Sequence, residues 1–379
     1  MTARMAVVTT AHPWGDPRVF ERELATCLAW GVPVHVFVPL AAPPERSGWS
    51  ADPRLTVHAL PVPTRRLGRF LLALGVWRQV LRHGPFRLVH FHDPELVPAM
   101  AILAVLSPGT YTLFDIHEDL ALQMASKRYL PPWARLPAAR LTAFMLRMAG
   151  SLFSGFAPAT EAIARHWPPA QTRVVHNYPK ALFTAALTPP DPHRVLYVGG
   201  LSQERGILNA LQALAAARRQ RPLLRLELVG WIMDGDTGRA IRAAVAEGWC
   251  LHIPYLAPEA LARHAAGAGI GLVTLLPRPN YLESLPTKLF EYMAMGIPVL
   301  ASDFPLWRVL VEGSGSGRVT APHPEALAAA LVQMCSDPQA LGRHAQAGRE
   351  AYRDRYRWEV EAGNLRWHLR QAGLLESSP

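Results

Sequence analysis

Acidic residues are missing from two long stretches of this chain, lysine is nearly absent throughout, and cysteine is scarce. Of 39 basic residues only Lys127, Lys180 and Lys288 are lysines, against 29 acids and a formal net charge of +10. The arginine bias carries no function by itself, but it makes each remaining lysine worth placing. Cys27, Cys250 and Cys335 form no CxxC and no Cys/His metal spacing. That argues against a zinc module or a disulfide framework, and the three read as reduced, buried thiols of a cytosolic protein. Apolar runs such as 97–106 stop far short of the ~20 residues a membrane-spanning helix needs. Residues 1–16 have no basic-then-apolar leader pattern and read as the approach to a first strand. A charged fraction of 18% beside 50% hydrophobic residues excludes a disordered chain.

What is present is an alternation of strand and helix. Domains typically run ~100–200 residues, so 379 residues predict two. Strands are expected at 5–9, 32–39, 87–91 and 111–116, with helices at 18–30 and 94–106. This rhythm predicts a parallel sheet covered on both faces by helices. Residues 188–193, Thr-Pro-Pro-Asp-Pro-His, interrupt it, and the domain boundary is placed there. The rhythm restarts with strands at 194–198, 224–230, 252–255, 271–275 and 298–301 and helices at 206–220, 258–266 and 287–295. The expectation is two tandem doubly wound α/β domains, 1–187 and 194–355. A last segment, 356–379, is expected to be a helix packing back on the first domain. Ligands of such sheets bind beyond the carboxyl ends of the strands, so a cleft between the domains is the expected site.

Residues 280–303 are the most informative. Glu283 lies in a loop, Pro286-Thr287 suits a helix start, and Glu291 falls one turn in. The free amides and positive dipole end of such a start suit a diphosphate, and a carboxylate such as Glu291 can accept both hydroxyls of a ribose. Lys288 in the first turn opposes the dipole unless an anion binds there. The same pattern also describes a surface helix with a solvated glutamate and lysine, and periodicity alone does not separate the two.

Glu283 and Glu291, followed by Met-Ala-Met-Gly-Ile-Pro-Val, resemble the signature of the retaining glycosyltransferases of family four, whose GT-B fold pairs two Rossmann-like domains. Further stretches fit in order: 9–31, His90-Phe-His-Asp-Pro-Glu-Leu, Phe114-Asp-Ile-His-Glu-Asp, Asn177-Tyr-Pro, 196–207, 298–310 and the glycine-rich 313–317. The resemblance implies a nucleotide-sugar donor held by Gly199, Gly200, Arg205, Glu283, Ser284, Leu285, Thr287, Lys288 and Glu291. Glu291 would bind the ribose and Glu283 the donor sugar. The family's diphosphate-clamping Arg and Lys fall on Gly200 and Arg205, so Lys288 is expected to replace part of the missing charge. His117, otherwise equally readable as a core histidine, would face the sugar. His117, Glu283, Arg205 and Lys288 form the expected catalytic set, and Gly15, Asp16, His92 and Asp93 the acceptor side. By this resemblance the nucleoside diphosphate leaves and the acceptor hydroxyl attacks the same face, with retention and with neither metal nor cofactor. Asp234-Gly-Asp236 imitates a metal-binding DxD but reads as a loop turn.

The positive charge is local. Between Asp52 and Asp93 stand seven arginines (54, 65, 66, 69, 78, 82 and 87) and no acid. Between Asp119 and Glu161 stand Lys127, Arg128, Arg135, Arg140 and Arg147, again without an acid. Leu67, Phe70, Leu71, Leu74, Trp77 and Leu81 recur at helical spacing in the first stretch; Tyr129, Leu130, Trp133, Leu136, Phe144 and Leu146 interleave the second. Either these apolar residues pack on the sheet while the arginines face solvent, or the stretches dock on an anionic bilayer. No motif that reads nucleic acid is present. The expectation is a bacterial-type glycosyltransferase on the cytosolic face of the membrane, moving a sugar to a lipid-linked or saccharide acceptor in surface polysaccharide assembly. The rivals are a sugar-nucleotide epimerase of the same fold and a non-catalytic scaffold that binds nucleotide sugars or membranes.

Overall fold

Short runs rich in Val, Leu and Ala form most of the strands. The computed structural model describes residues 3–42, 44, 45, 47–120, 122, 124, 131–180 and 188–376. The chain divides into two compact units, Met1–Asn177 with Glu361–Pro379, and Tyr178–Val360. The first unit holds β1 (Met5–Val8), β2 (Val34–Pro39), β3 (Leu55–Leu60), β4 (Leu88–Phe91), β5 (Tyr111–Ile116) and β6 (Gly155–Pro158), in the order β3-β2-β1-β4-β5-β6. The second holds β7 (Asp191–Val198), β8 (Arg225–Val229), β9 (Cys250–Ile253), β10 (Ala268–Val273), β11 (Val299–Ser302) and β12 (Gly317–Thr320), in the order β12-β11-β10-β7-β8-β9. Every pairing is parallel. Each unit thus winds outward from its first strand, then restarts on that strand's other side with its fourth. This is the doubly wound Rossmann-like order, used twice, and it puts a topological switch point at the carboxyl ends of β1/β4 and of β7/β10.

The inner strands β1, β4, β10 and β11 are buried on both faces, which is why they read as continuous apolar runs rather than alternations. Phe37, Phe91, Phe114 and Phe156 fill the first core. In the second, Tyr197, Leu214 and Leu228 pack on one face of the sheet and Phe290, Tyr292 and Trp307 on the other.

Four placements differ from the sequence expectation. The strand after the proline-rich stretch starts at Asp191, so Pro192 lies inside it. A proline is tolerated there because the register with β10 shifts between Ala268 and Ile270, and a missing N–H is least harmful at a strand start or irregularity. The two units part at Asn177/Tyr178, upstream of residues 188–193. The final helix, Trp358–Gln371, belongs to the first unit only from Glu361. There Glu361 accepts the His176 N–H at 3.0 Å, Arg173 lies 4.1 Å over the Trp367 ring, and Tyr111 Oη meets His368 Nδ1 at 3.1 Å. Asp234 sits in no loop turn: it caps the helix Gly235–Ala246, accepting the Thr237 N–H at 2.8 Å and, from the neighbouring loop, the Gln203 N–H at 3.0 Å. No helix of the described residues is long and apolar enough to cross a membrane.

Candidate functional site

In the second unit the residues after β7 and the start of the helix Thr287–Met295 come together. Gly199 has φ +122°, a conformation side-chain-bearing residues rarely adopt. A Cβ at Gly199 would stand 3.1 Å from Lys288 Nζ and 3.8 Å from Arg205 Nη1; at Gly200 it would stand 2.6 Å from Met233 Sδ and 3.5 Å from Arg205 Cζ. The two glycines therefore leave a bare backbone surface next to two cations. Gly206, which ends the turn Gln203–Arg205, has φ +77°, and a Cβ there would meet the Thr274 carbonyl oxygen at 1.9 Å, so only glycine lets the chain turn here.

Lys288 is unusual for its type. It is 7% exposed, and its Nζ has no hydrogen-bond partner among the described residues. Its ammonium lies 3.9 Å over the Tyr197 ring. Burial, then repulsion from Arg205, pull its pKa down to about 7 against a smaller upward pull from Glu291. Tyr197 in turn donates its hydroxyl to the Gly200 carbonyl at 3.1 Å, and Tyr292 receives the Val198 N–H at 2.9 Å, fixing the strand end under the cations. A buried ammonium left without an acceptor is costly. An anion at Gly199–Gly200 would relieve it and be met by Arg205 as well.

The other donor-side residues are less converged. Thr287 is the first residue of the helix, and Glu291 sits one turn on, within electrostatic reach of Lys288. Glu283 is exposed at the end of the short turn Pro279–Leu282. Ser284 serves the fold, donating its hydroxyl to the Tyr281 carbonyl at 2.9 Å and accepting the Trp307 indole N–H at 2.8 Å; Leu285 packs on the core.

In the first unit the carboxyl ends of β1, β4 and β5 gather a buried polar network. Asp115, fully buried, accepts from Arg18 Nη2 at 2.6 Å and Nε at 3.0 Å, from His92 Nδ1 at 2.9 Å and from His117 Nε2 at 2.8 Å. Burial alone would raise its pKa, but Arg18 and then His117 hold it well below the carboxylate range. Glu23, 3.1 Å from Arg18 Nε, goes the other way: burial first, then the Asp115 charge, push it well above its usual value. The two buried acids share a single guanidinium and shift in opposite directions, as expected when each charge disfavours the other. Glu23, His90, His92 and Asp115 lie close enough together to hold a metal ion, and Arg18 pairs with both acids.

Asp93 organises the loop after β1. Its Oδ2 accepts the Thr9 hydroxyl at 2.8 Å and the amides of Thr10 at 2.5 Å and Ala11 at 3.1 Å, while Oδ1 lies 3.5 Å from His12 Nε2. His12 Nδ1 lies 3.1 Å from Asp16, and the rings of His12 and His117 are 4.9 Å apart. Burial lowers the His12 pKa, but Asp16 and then Asp93 outweigh it and raise it. Asp16 also caps the helical turn Pro17–Leu24 through the Arg18 and Val19 amides. Against the opposing effect of burial, His12 and these amides hold its carboxyl well below the usual range. Gly15 supplies the positive φ of the turn before it, with nothing within 4 Å of its Cβ position.

Asp16, His92, Asp93 and His117 therefore share one neighbourhood. Sequence pattern did not single out His12, Arg18, Glu23 and Asp115. Their signal was the placing of Asp-Pro-Arg, His-Phe-His-Asp and Asp-Ile-His-Glu at or just beyond strand ends, where a doubly wound sheet collects its ligands.

Part of each basic stretch lies on a helix of the same unit, Arg66–His83 or Pro132–Gly150. On Arg66–His83, Ala73, Val76 and Val80 face the core and Trp77 packs partly on it, while Leu67, Phe70, Leu71, Leu74 and Leu81 are exposed. On Pro132–Gly150, Trp133, Leu136, Leu141, Phe144, Met145 and Met148 are exposed, Trp133 to 80%. Lys127, Arg128, Tyr129 and Leu130 lie outside the described residues.

Two Rossmann-like units with ligand-type residues at their switch points define the GT-B class. Family models agree: residues 17–178 match the glycosyl transferase 4-like domain and residues 192–337 the glycosyl transferases group 1 domain. A phosphatidyl-myo-inositol mannosyltransferase of Mycobacterium leprae is 34% identical over 81% of this chain and 80% of its own length. The chain belongs to the group 1 glycosyltransferases. A glycogen synthase of Mycobacterium tuberculosis is 28% identical over 58% of the chain, which spans about half (53%) of that relative. The Anabaena protein HepE, solved in complex with UDP-glucose, superposes with a TM-score of 0.69 at 16% identity, covering 97% of this chain and 99% of that one.

Proposed function

We propose that this chain transfers a sugar from a nucleotide-sugar donor to a lipid-linked or saccharide acceptor, with retention and without a metal, on the cytosolic face of a membrane in surface polysaccharide assembly. The observation that carries the donor half is the orphaned, buried Lys288 ammonium facing the bare backbone of Gly199 beside Arg205. A diphosphate there would be bound by two cations and the amides of the helix starting at Thr287. As the glycosidic bond breaks, charge grows on the leaving diphosphate, and these groups are already in place to stabilise it. HepE, a protein of the same fold, was solved with UDP-glucose. Glu291 and Glu283 are proposed to accept hydroxyls of the ribose and the donor sugar, and His117 to face a sugar. Gly15, Asp16, His92 and Asp93 are proposed to form or support the acceptor side.

The membrane half rests on exposed apolar residues that keep company with arginine: Leu67, Phe70 and Leu71 with Arg65 and Arg78, and Phe144, Met145 and Met148 with Arg140 and Arg147. Such exposed, basic, amphipathic faces suit an anionic bilayer. A binding screen of UDP-, GDP-, dTDP- and ADP-sugars, followed by transfer assays with the sugar that binds, tests the reading. Saturable binding of one donor with release of its nucleoside diphosphate in the presence of acceptor is expected. Isomerisation of the donor alone would indicate an epimerase, and binding of none would remove the donor half.

A further inference from the structure

Three histidines that take no part in the sites above come together on the first unit. His35 is the second residue of β2, His58 lies on β3, and His83 ends the helix Arg66–His83, which leads into β4. They gather toward the amino ends of β2 and β4, away from the carboxyl ends that carry the Asp93 and Asp115 network. We propose that His35, His58 and His83 bind a late first-row divalent metal ion, copper(II) or nickel(II) ahead of zinc, which fastens the end of this helix to the sheet. The inference is independent of the transfer reaction.

The spacing is that of a chelate. His35 Nδ1 and His58 Nε2 stand 2.9 Å apart. Imidazole nitrogens bind such ions at ~2.0–2.1 Å, so two of them at right angles on one ion stand about 2.9 Å apart, and at the tetrahedral angle about 3.4 Å. The observed distance fits the right angle of copper(II) and nickel(II), and copper(II) also heads the affinity order for nitrogen ligands. The same two nitrogens now share one hydrogen bond. Moving its proton to the donor ring's other nitrogen, a change of tautomer that loses no proton, leaves both with lone pairs for the ion. His83 supplies the third ligand. Its ring lies 4.2 Å from that of His58, and its side chain is exposed at the last residue of the helix, where it can turn toward the pair.

The surroundings hold the first two ligands in place. His58 stacks on Phe37 with ring centroids 4.5 Å apart and planes 13° from parallel, and Phe86 meets His35 edge-on at 5.2 Å. Ligands locked by packing are already arranged for the ion. Among the described residues none of the three histidines pairs with a carboxylate, so no acid competes for their nitrogens. The carboxyl end of the helix turns its negative dipole end toward the cation. Arg4, its guanidinium 5.5 Å over the Phe86 ring, is the opposing charge. The buried set of Glu23, His90, His92 and Asp115 is the weaker candidate, because a cation there would stand against the Arg18 guanidinium that already pairs with both acids.

The test is calorimetric titration of the full chain, free of any histidine tag, with copper(II) and nickel(II) chloride in a non-coordinating buffer. At least one of the two ions should bind with a Kd below about 10 µM, and the melting temperature should rise with it. His58→Phe keeps the stack on Phe37 and should weaken binding about thirtyfold or more. His83→Ala, at an exposed position that leaves the fold intact, should weaken it about fivefold or more. Electron paramagnetic resonance of the copper(II) form should show coupling to at least two imidazole nitrogens. A Kd weaker than about 10 µM for both ions, an affinity unchanged in either variant, or coupling to a single nitrogen overturns the proposal. Binding that survives His58→Phe is held elsewhere, by the buried Glu23 set or another group.

Discussion

Replacing Lys288 with methionine should make the free chain more stable while removing its hold on a diphosphate. The ammonium's pKa drops from the ordinary 10.5 to about 7 on burial. A group whose folded pKa is depressed in this way opposes folding wherever the unfolded chain is protonated. Each unit is worth about 1.4 kcal/mol. Below pH 7 the penalty is complete, roughly 5 kcal/mol. Between pH 7 and 10.5 the unfolded chain binds a proton that the folded chain has released, so the stability of the unmodified protein rises with pH. At pH 7.5 methionine should therefore gain up to about 4 kcal/mol, less the contact over Tyr197, which is worth about 1–2 kcal/mol when desolvated. By pH 9.5 the gap should shrink to about 1.5 kcal/mol or less. Urea titrations of both chains at the two pH values measure it. Loss of stability at pH 7.5, or a gap that does not change with pH, would refute the reasoning. Calorimetry with UDP is the companion assay. Losing a charged hydrogen bond worth about 1.5–3 kcal/mol should weaken binding roughly 10–150-fold. On the unmodified chain, UDP binding should weaken as pH rises above 7, because the bound form keeps a proton that the free form releases.

Three further outcomes are expected. Gly199→Ala forces a strained φ and crowds Lys288, so it should cost about 1–3 kcal/mol in stability and weaken UDP binding, read by thermal melting and calorimetry. Asp93→Leu removes the acceptor for the Thr9 hydroxyl and the Thr10 and Ala11 amides. It should cost more than about 2 kcal/mol, whereas Asp93→Asn should recover part of this by keeping an oxygen in place, with melting temperature as the measure. Converting Leu67, Phe70 and Leu71 to serine should leave stability within about 1 kcal/mol, since all three are exposed, and should reduce co-sedimentation with vesicles containing anionic lipid.

Much of the fold is legible in local residue pattern. The expected helix 287–295 has those bounds because proline and threonine start it and Gly296, at φ +67°, ends it. The strand at 111–116 likewise keeps its expected limits. Short or irregular elements are not legible in this way: β6 and β12 have four residues each and begin at glycine, too brief to display a period. The parting of the units at 177/178 is hidden for another reason. Proline marks where a helix or strand is strained, but a unit boundary is set by which core a segment packs against.

The candidate sites divide along the same line. Local pattern determined that the chain repeats one doubly wound unit, that Lys288 opens a helix against its dipole, and that histidines and aspartates collect at strand ends. Only the tertiary structure decided their state. Arg18 reaches Asp115 across 97 residues of chain, and there Asp115 is held well below the carboxylate range while Glu23 is pushed well above it. His12 lies between the carboxylates of Asp16 and Asp93, which raise its pKa, whereas Lys288 lies against Tyr197 beside Arg205 and its pKa falls. Periodicity records which face of an element is apolar. Whether a charge is paired, orphaned or neutralised depends on which distant groups the fold brings within a few ångströms of it, in surroundings where water no longer screens it.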